Sequence, residues 1–121
     1  MHAVIFEFWP REDRKAEYFD HAAALREELK KMPGFISVER FESIAEPGKF
    51  VSLSFWQSEE AIARWRREPG HRTVQAAGRG GIFSNYRLRV AAVVRDYGMT
   101  DRAEAPADSR SVHDGQAPVG D

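Results

Sequence analysis

The hydrophobic period of this chain changes four times in its first hundred residues, and that alternation limits what it can fold into. Met1–Trp9 alternates, with Val4, Phe6 and Phe8 on one side and Ala3, Ile5 and Glu7 on the other. A strict two-residue period in a β-rich composition predicts a strand. From Arg14 to Met32 the period becomes helical, with Tyr18, Ala22, Leu25, Leu29 and Met32 opposite a face of Arg, Glu and Lys. Asp13 is the expected N-cap. Lys30 and Lys31 suit the negative end of the helix dipole, and Pro33-Gly34 stops it.

Alternation returns over Phe35–Ser43, with Ile36 and Val38 expected on one face and Phe35, Ser37, Glu39 and Phe41 on the other. Glu46-Pro47-Gly48-Lys49 reads as a tight turn. Phe50–Trp56 then returns as an antiparallel partner, Val51, Leu53 and Phe55 alternating with Ser52, Ser54 and Trp56. Ser58 is a plain N-cap of a short helix with Ala61, Ile62 and Trp65 as its apolar stripe, expected to end near Glu68-Pro69-Gly70. A further helical piece, His71–Gly78, carries His71, Val74 and Gln75 on one side. Gly78-Arg79-Gly80-Gly81 breaks it before a fourth strand, Tyr86–Val94.

The order β-α-β-β-α-β predicts an α+β, ferredoxin-like fold with both helices on one face of an antiparallel sheet. The covered face is expected to carry Val4, Phe6, Ile36, Val38, Val51, Leu53, Leu88 and Val90. The opposite face would mix Ile5, Phe35, Phe41 and Trp56 with Glu7, Glu39, Ser52, Ser54, Arg87 and Arg89. Such a face is too apolar to leave in water and too charged for a core. A homodimer through the exposed sheet face resolves both problems. After residue 97 large apolar side chains become scarce, so 1–97 is expected to form the domain. Residues 98–121 are expected to be a flexible tail, or an arm ordered by packing on a partner.

Composition narrows the function classes. The net charge of −1 provides no field for nucleic acid, and the chain has no cysteine for thiolate or metal–sulfur chemistry. Its four histidines show no metal-ligand spacing. No apolar run approaches the roughly 20 residues needed to cross a bilayer, and MHAVIFEFWP lacks a basic leader. The expectation is a cytoplasmic protein with no membrane or nucleic-acid partner.

The residues with chemical potential gather in Trp56–Phe83. An unperturbed imidazole titrates in the range useful for a general base, which His71 could be, but its place just after Pro69-Gly70 fits a capping or surface histidine better. Trp65 offers an aromatic surface for a flat ligand, or simply anchors its helix. Arg72, Arg79 and Arg40 could orient an oxyanion or remain solvated, and Tyr86 could donate to a substrate oxygen or pack beneath the helices. The glycine-rich 78–81 segment lacks the flanking signature of a phosphate loop.

The strand order, Pro33-Gly34-Phe35, Ser52–Trp56 (SLSFW), Ser58–Arg66 (SEEAIARWR) and His71-Arg72 together resemble the antibiotic biosynthesis monooxygenase domain family, of the dimeric α+β barrel superfamily, from Met1 to about Asp96. The resemblance implies a dimeric barrel and a cofactor-independent monooxygenase that oxidises a small aromatic or polyketide-like substrate with molecular oxygen. On that reading His71 would take the proton, Trp65 and aromatic neighbours would hold the ring, and Arg72, Tyr86 and Phe83 would join Trp65 in binding the substrate; no metal or other cofactor is implied. Trp65 matches the helix tryptophan of the oxygenase branch, whereas Ala61 and His71 occupy its Asn and Tyr places. The family also contains haem-degrading enzymes, whose first-strand Asn is missing near Phe6 or Glu7. A non-catalytic ligand-binding or stress-response dimer on the same fold is the alternative.

Overall fold

The structure is a computed structural model that describes residues 1–114, excluding the side chains at positions 74 and 77–79. The expected Val74 and Arg79 roles therefore lie outside the described residues, as do residues 115–121 of the tail. Its elements are β1 (His2–Pro10), α1 (Lys15–Lys30), β2 (Phe35–Glu42), β3 (Phe50–Trp56), α2 (Glu59–Arg66), α3 (Pro69–Ala77), β4 (Phe83–Ala92) and α4 (Ala107–His113). The four strands form one antiparallel sheet in the order β2-β3-β1-β4. The predicted α+β, ferredoxin-like order is thus the observed one.

Local chemistry explains most boundaries. Ser58 Oγ accepts the Ala61 N–H at 3.2 Å and caps α2, as its sequence position implies. The expected Asp13 cap does not form. Glu12–Arg14 makes a single 3-10 turn before α1, and Asp13 lies inside it with no side-chain cap bond at either helix start. Pro69-Gly70 opens α3 instead of only separating two helices. Proline loses nothing in a first turn, where its missing N–H would be unpaired. The Glu68 carboxylate then accepts the His71 N–H at 2.8 Å.

Strand facing departs from the expected pattern in β2 and β3. Val4 pairs with Ser54, Phe6 with Ser52 and Phe8 with Phe50, so these residues share the face beneath the helices. Val51, Leu53 and Phe55 consequently turn to the outer face, with Ile5 and Glu7. Trp56 joins the helix-side core at 1% exposure instead of lying outside. In β2 the register shifts between Phe35 and Ser37, which brings Phe35 onto Trp56 (ring centroids 5.3 Å apart) and leaves Ile36 45% exposed. A bulge of this kind resets the parity of the strand behind it. Val38, Leu88 and Val90 keep their expected side.

Two core clusters result. Phe8, Tyr18, Phe50 and Ile82 form one, and Leu29, Trp56, Ala61 and Ile62 form the other. The second depends on a close approach at Gly34, whose φ is +85° and whose hypothetical Cβ would lie 2.6 Å from the Ala61 Cβ. Gly34→Ala is expected to destabilise the protein by about 2–4 kcal/mol, combining left-handed backbone strain with overpacking. Gly48 is the internal control: its φ is +91° in the β2–β3 turn, with nothing within 4 Å of a Cβ. Gly48→Ala should therefore show the strain alone, about 1–2 kcal/mol. Urea denaturation of the two variants measures the packing contribution as their difference, and equal losses would refute the Ala61 contact.

Beyond β4, Arg102 organises the chain leading to α4. Its guanidinium lies over the Tyr97 ring, pairs with Asp114, and donates to Ser109 Oγ at 2.8 Å and the Gly98 carbonyl at 3.1 Å. Ala105 is buried at 6% exposure, while Tyr97, Met99 and Val112 remain exposed.

Candidate functional site

Small side chains on β3 make room for the site. Ser52 and Ser54 face the helices between bulky Phe50 and Trp56, and a cavity of 360 Å³ opens above them. That volume lies within the range of small-molecule pockets. Val4, Phe6, Leu88 and Val90 extend its floor across β1 and β4. Tyr18, Ala22, Leu25 and Leu29 of α1 roof it, with Ile62 and Trp65 of α2. The cavity therefore sits where the two core clusters fail to meet. Leu88, Val90 and Tyr86 are 51%, 43% and 39% exposed, which marks the β4 side as open to solvent. Ser54 Oγ accepts the Trp56 indole N–H at 2.9 Å, so one of the two floor hydroxyls already has a partner.

His71 and Gln75 of α3 line the same space. The His71 ring stacks on Trp65, with centroids 4.6 Å apart and planes 14° from parallel. Its Nδ1 lies 3.1 Å from the Trp65 carbonyl oxygen. A carbonyl only accepts, so Nδ1 carries the hydrogen and the neutral ring keeps its lone pair on Nε2. Burial pushes the imidazole below its ordinary value of 6.5 and outweighs the Trp65 carbonyl and Glu68 carboxylate, which favour the cation; Arg72 adds to the lowering. The result is a neutral base in an apolar wall.

That shift has a sign in stability. Just below pH 6.5 the unfolded chain protonates His71 while the folded chain resists, so the unfolded state binds more protons. Stability from this group is therefore lost as pH falls through the ordinary value and levels off below the lowered folded one. Urea midpoints of wild type and His71→Gln between about pH 7.5 and about pH 5 should diverge in that direction. Parallel profiles would contradict it.

Among the expected site residues, His71, Trp65, Tyr86 and Phe83 line one cavity. Phe83 also meets Phe6 and Tyr86 edge to face at 5.6 and 6.1 Å. Arg72 is exposed and outside the lining, its backbone N–H donating to the Glu68 carbonyl. Arg40 does reach the cavity, and so does Arg66 at the end of α2, which was not among the expected site residues. Ser52 and Ser54 escaped notice as well. Their signal is two serines alternating on an otherwise apolar strand. No group of three His, Cys, Asp or Glu among the described residues could hold a metal ion. No helix among them is long and apolar enough to cross a membrane.

Known proteins share this fold. The family model described as antibiotic biosynthesis monooxygenase matches residues 1–77. Jasmonate monooxygenase ABM of Pyricularia oryzae is 42% identical over 93 residues, a match covering 77% of this chain and 43% of that protein. This chain thus spans less than half the length of that relative. Uncharacterized protein YqjZ of Bacillus subtilis is 32% identical over 95 residues, covering 78% of this chain and 80% of that one. Among solved structures, a Deinococcus radiodurans protein provisionally described as an antibiotic biosynthesis monooxygenase superposes with a TM-score of 0.72 at 12% identity, covering 81% and 97% of the two chains. SnoaB, a cofactor-independent oxygenase from Streptomyces nogalater solved as a variant, gives 0.66 at 17% identity, covering 78% and 94%. At such identities the likeness to the solved structures is one of fold.

Proposed function

The chain belongs to the antibiotic biosynthesis monooxygenase family, and from that premise we propose that it is a cofactor-independent monooxygenase acting on a small aromatic or polyketide-like compound. The observation that carries this reading is the His71–Trp65 pair in the cavity wall: a neutral imidazole stacked at 4.6 Å, with Nδ1 committed to a carbonyl. Nε2 is then the nitrogen that takes a proton from a bound phenol. Trp65, Phe83 and Tyr86 bound the ring and restrict water around it.

A phenolate held there is electron-rich enough to reduce dioxygen at a ring carbon bearing hydrogen. The new carbon–oxygen bond makes a peroxide. Cleavage of its O–O bond with loss of the ring hydrogen leaves a quinone and releases water. All four electrons come from the substrate, one oxygen atom stays in the product, and the proton on His71 leaves with the water. The family name and the monooxygenase name of the Pyricularia oryzae relative support oxygen chemistry on this scaffold.

Oxygen uptake with a panel of hydroxylated aromatics in chelator-treated buffer tests the reading. Substrate-dependent uptake with quinone absorbance is expected. Tight binding without uptake across the panel would leave a ligand-binding dimer as the function.

The dimer is proposed on the outer sheet face. Ile5, Val51, Leu53 and Phe55 lie there with half-exposed Phe41, beside a Glu7 carboxylate that bonds Arg89 at 2.6 Å and Lys49 at 3.1 Å. These partners, Arg89 first, hold Glu7 below the usual carboxylate range. An apolar centre beside a satisfied charge suits a second copy across a two-fold axis, closing a dimeric barrel. Leu53→Glu places a charge at that centre and is expected to convert the dimer to monomer in analytical ultracentrifugation. An unchanged sedimentation coefficient at equal concentration would remove this face from the interface.

A further inference from the structure

Charge is unevenly placed around the cavity. Its lining includes Arg40 and Arg66 but, among the described residues, no aspartate or glutamate. Neither guanidinium makes an ion pair or hydrogen bond among those residues. The positions on α2 and α3 that would neutralise Arg66 at helical spacing are Ile62, Ala63, Pro69 and Gly70, none acidic. Arg40 sits opposite Ser52, and the Glu42 carboxylate beyond it accepts the Gly48 N–H at 3.1 Å. Two guanidinium groups thus border an apolar space with their donors uncommitted.

We propose that the cavity selects an apolar acid, its ring among Trp65, Phe6 and Leu88 and its carboxylate on Arg40 and Arg66. This deepens the monooxygenase reading and rests on the cavity being the substrate site. Arginine suits the task because its planar fork gives a carboxylate two parallel donors, and charged hydrogen bonds are shorter and stronger than neutral ones. The wall opposite in character, His71 with Gln75, is left for the reacting end of the molecule. With the carboxylate held on the arginines, the rest of the molecule is directed along the apolar lining.

Calorimetric titration with naphthylacetic acid and with naphthylacetamide, equal in shape and different in charge, tests the inference. The acid is expected to bind about 10–100-fold more tightly than the amide. The Arg40→Gln/Arg66→Gln double variant should lose that preference while its amide affinity stays unchanged. Both positions are exposed, so the variant is expected to keep its fold, checked by thermal melting. Equal affinity for acid and amide, a preference surviving in the double variant, or no binding of either ligand to folded protein would each overturn it. Failure of the monooxygenase reading is distinguishable. In that case acid selectivity and its dependence on the arginines persist, in wild type and in His71→Gln, without oxygen consumption.

Discussion

His71→Gln is expected to lower kcat for oxygen uptake by about 10²–10⁴-fold, the range typical of losing a positioned general base. Glutamine keeps a donor for the Trp65 carbonyl and similar bulk beneath Trp65, so loss of the proton acceptor is the main change. Ligand affinity should fall much less than turnover, since the stacking wall remains. The wild-type profile should stay active below pH 6.5, because burial keeps the imidazole neutral there. The variant should lack that titration, and raising the pH to ionise the phenol in solution should recover part of its rate. Undiminished turnover in the variant would remove His71 from the chemistry and return it to a packing role against Trp65.

Phe8→Ala is expected to destabilise the fold by about 3–5 kcal/mol, a large share of the roughly 5–15 kcal/mol that holds a typical domain together. Phe8 is 0% exposed and its ring meets four others, with centroids 5.0 Å from Phe6, 4.7 Å from Tyr18, 5.8 Å from Phe50 and 5.3 Å from Phe83. Removing it deprives both sheet and α1 of a shared contact, and the neighbours are too large to collapse into the space. Urea denaturation measures the loss. Phe8→Leu, which refills most of the volume, should cost clearly less. A loss under about 1 kcal/mol in the alanine variant would mean that the cluster repacks freely.

Much of this could be anticipated because local signals and tertiary packing agree. Ser58 caps α2 wherever the helix lies, since the bond spans only three residues. Pro47-Gly48 turns the chain because proline presets one dihedral and glycine permits φ of +91° at the next. The stripe from Tyr18 to Leu29 can bury only one face of α1, and both residues are buried. His71 and Trp65 could be nominated as neighbours, six residues apart across a helix break. Their stacking and the Nδ1 contact could not, because these depend on the angle between two helices.

Strand facing was harder to read for a definable reason. Alternation identifies the buried side only when one side is polar. On β3 both sides carry large apolar residues, Phe50 and Trp56 on one, Val51, Leu53 and Phe55 on the other. Register with Val4, Phe6 and Phe8 decided between them, and the Phe35–Ser37 bulge decided the matter for β2. The cavity follows from that choice, because it puts Ser52 and Ser54 under the helices where Val51 and Leu53 would have filled the space.

The sequence by itself determined the order of elements from β1 to β4, the Ser58 cap, the Pro47-Gly48 turn, and His71 and Trp65 as residues able to do chemistry, since those depend on interactions within a few residues. Only the tertiary structure decided which face of β3 is inside, that a cavity exists there, and that Arg40, Arg66 and His71 border it together. Those outcomes arise from pairing between distant strands, where a one-residue shift exchanges every side chain between the two faces.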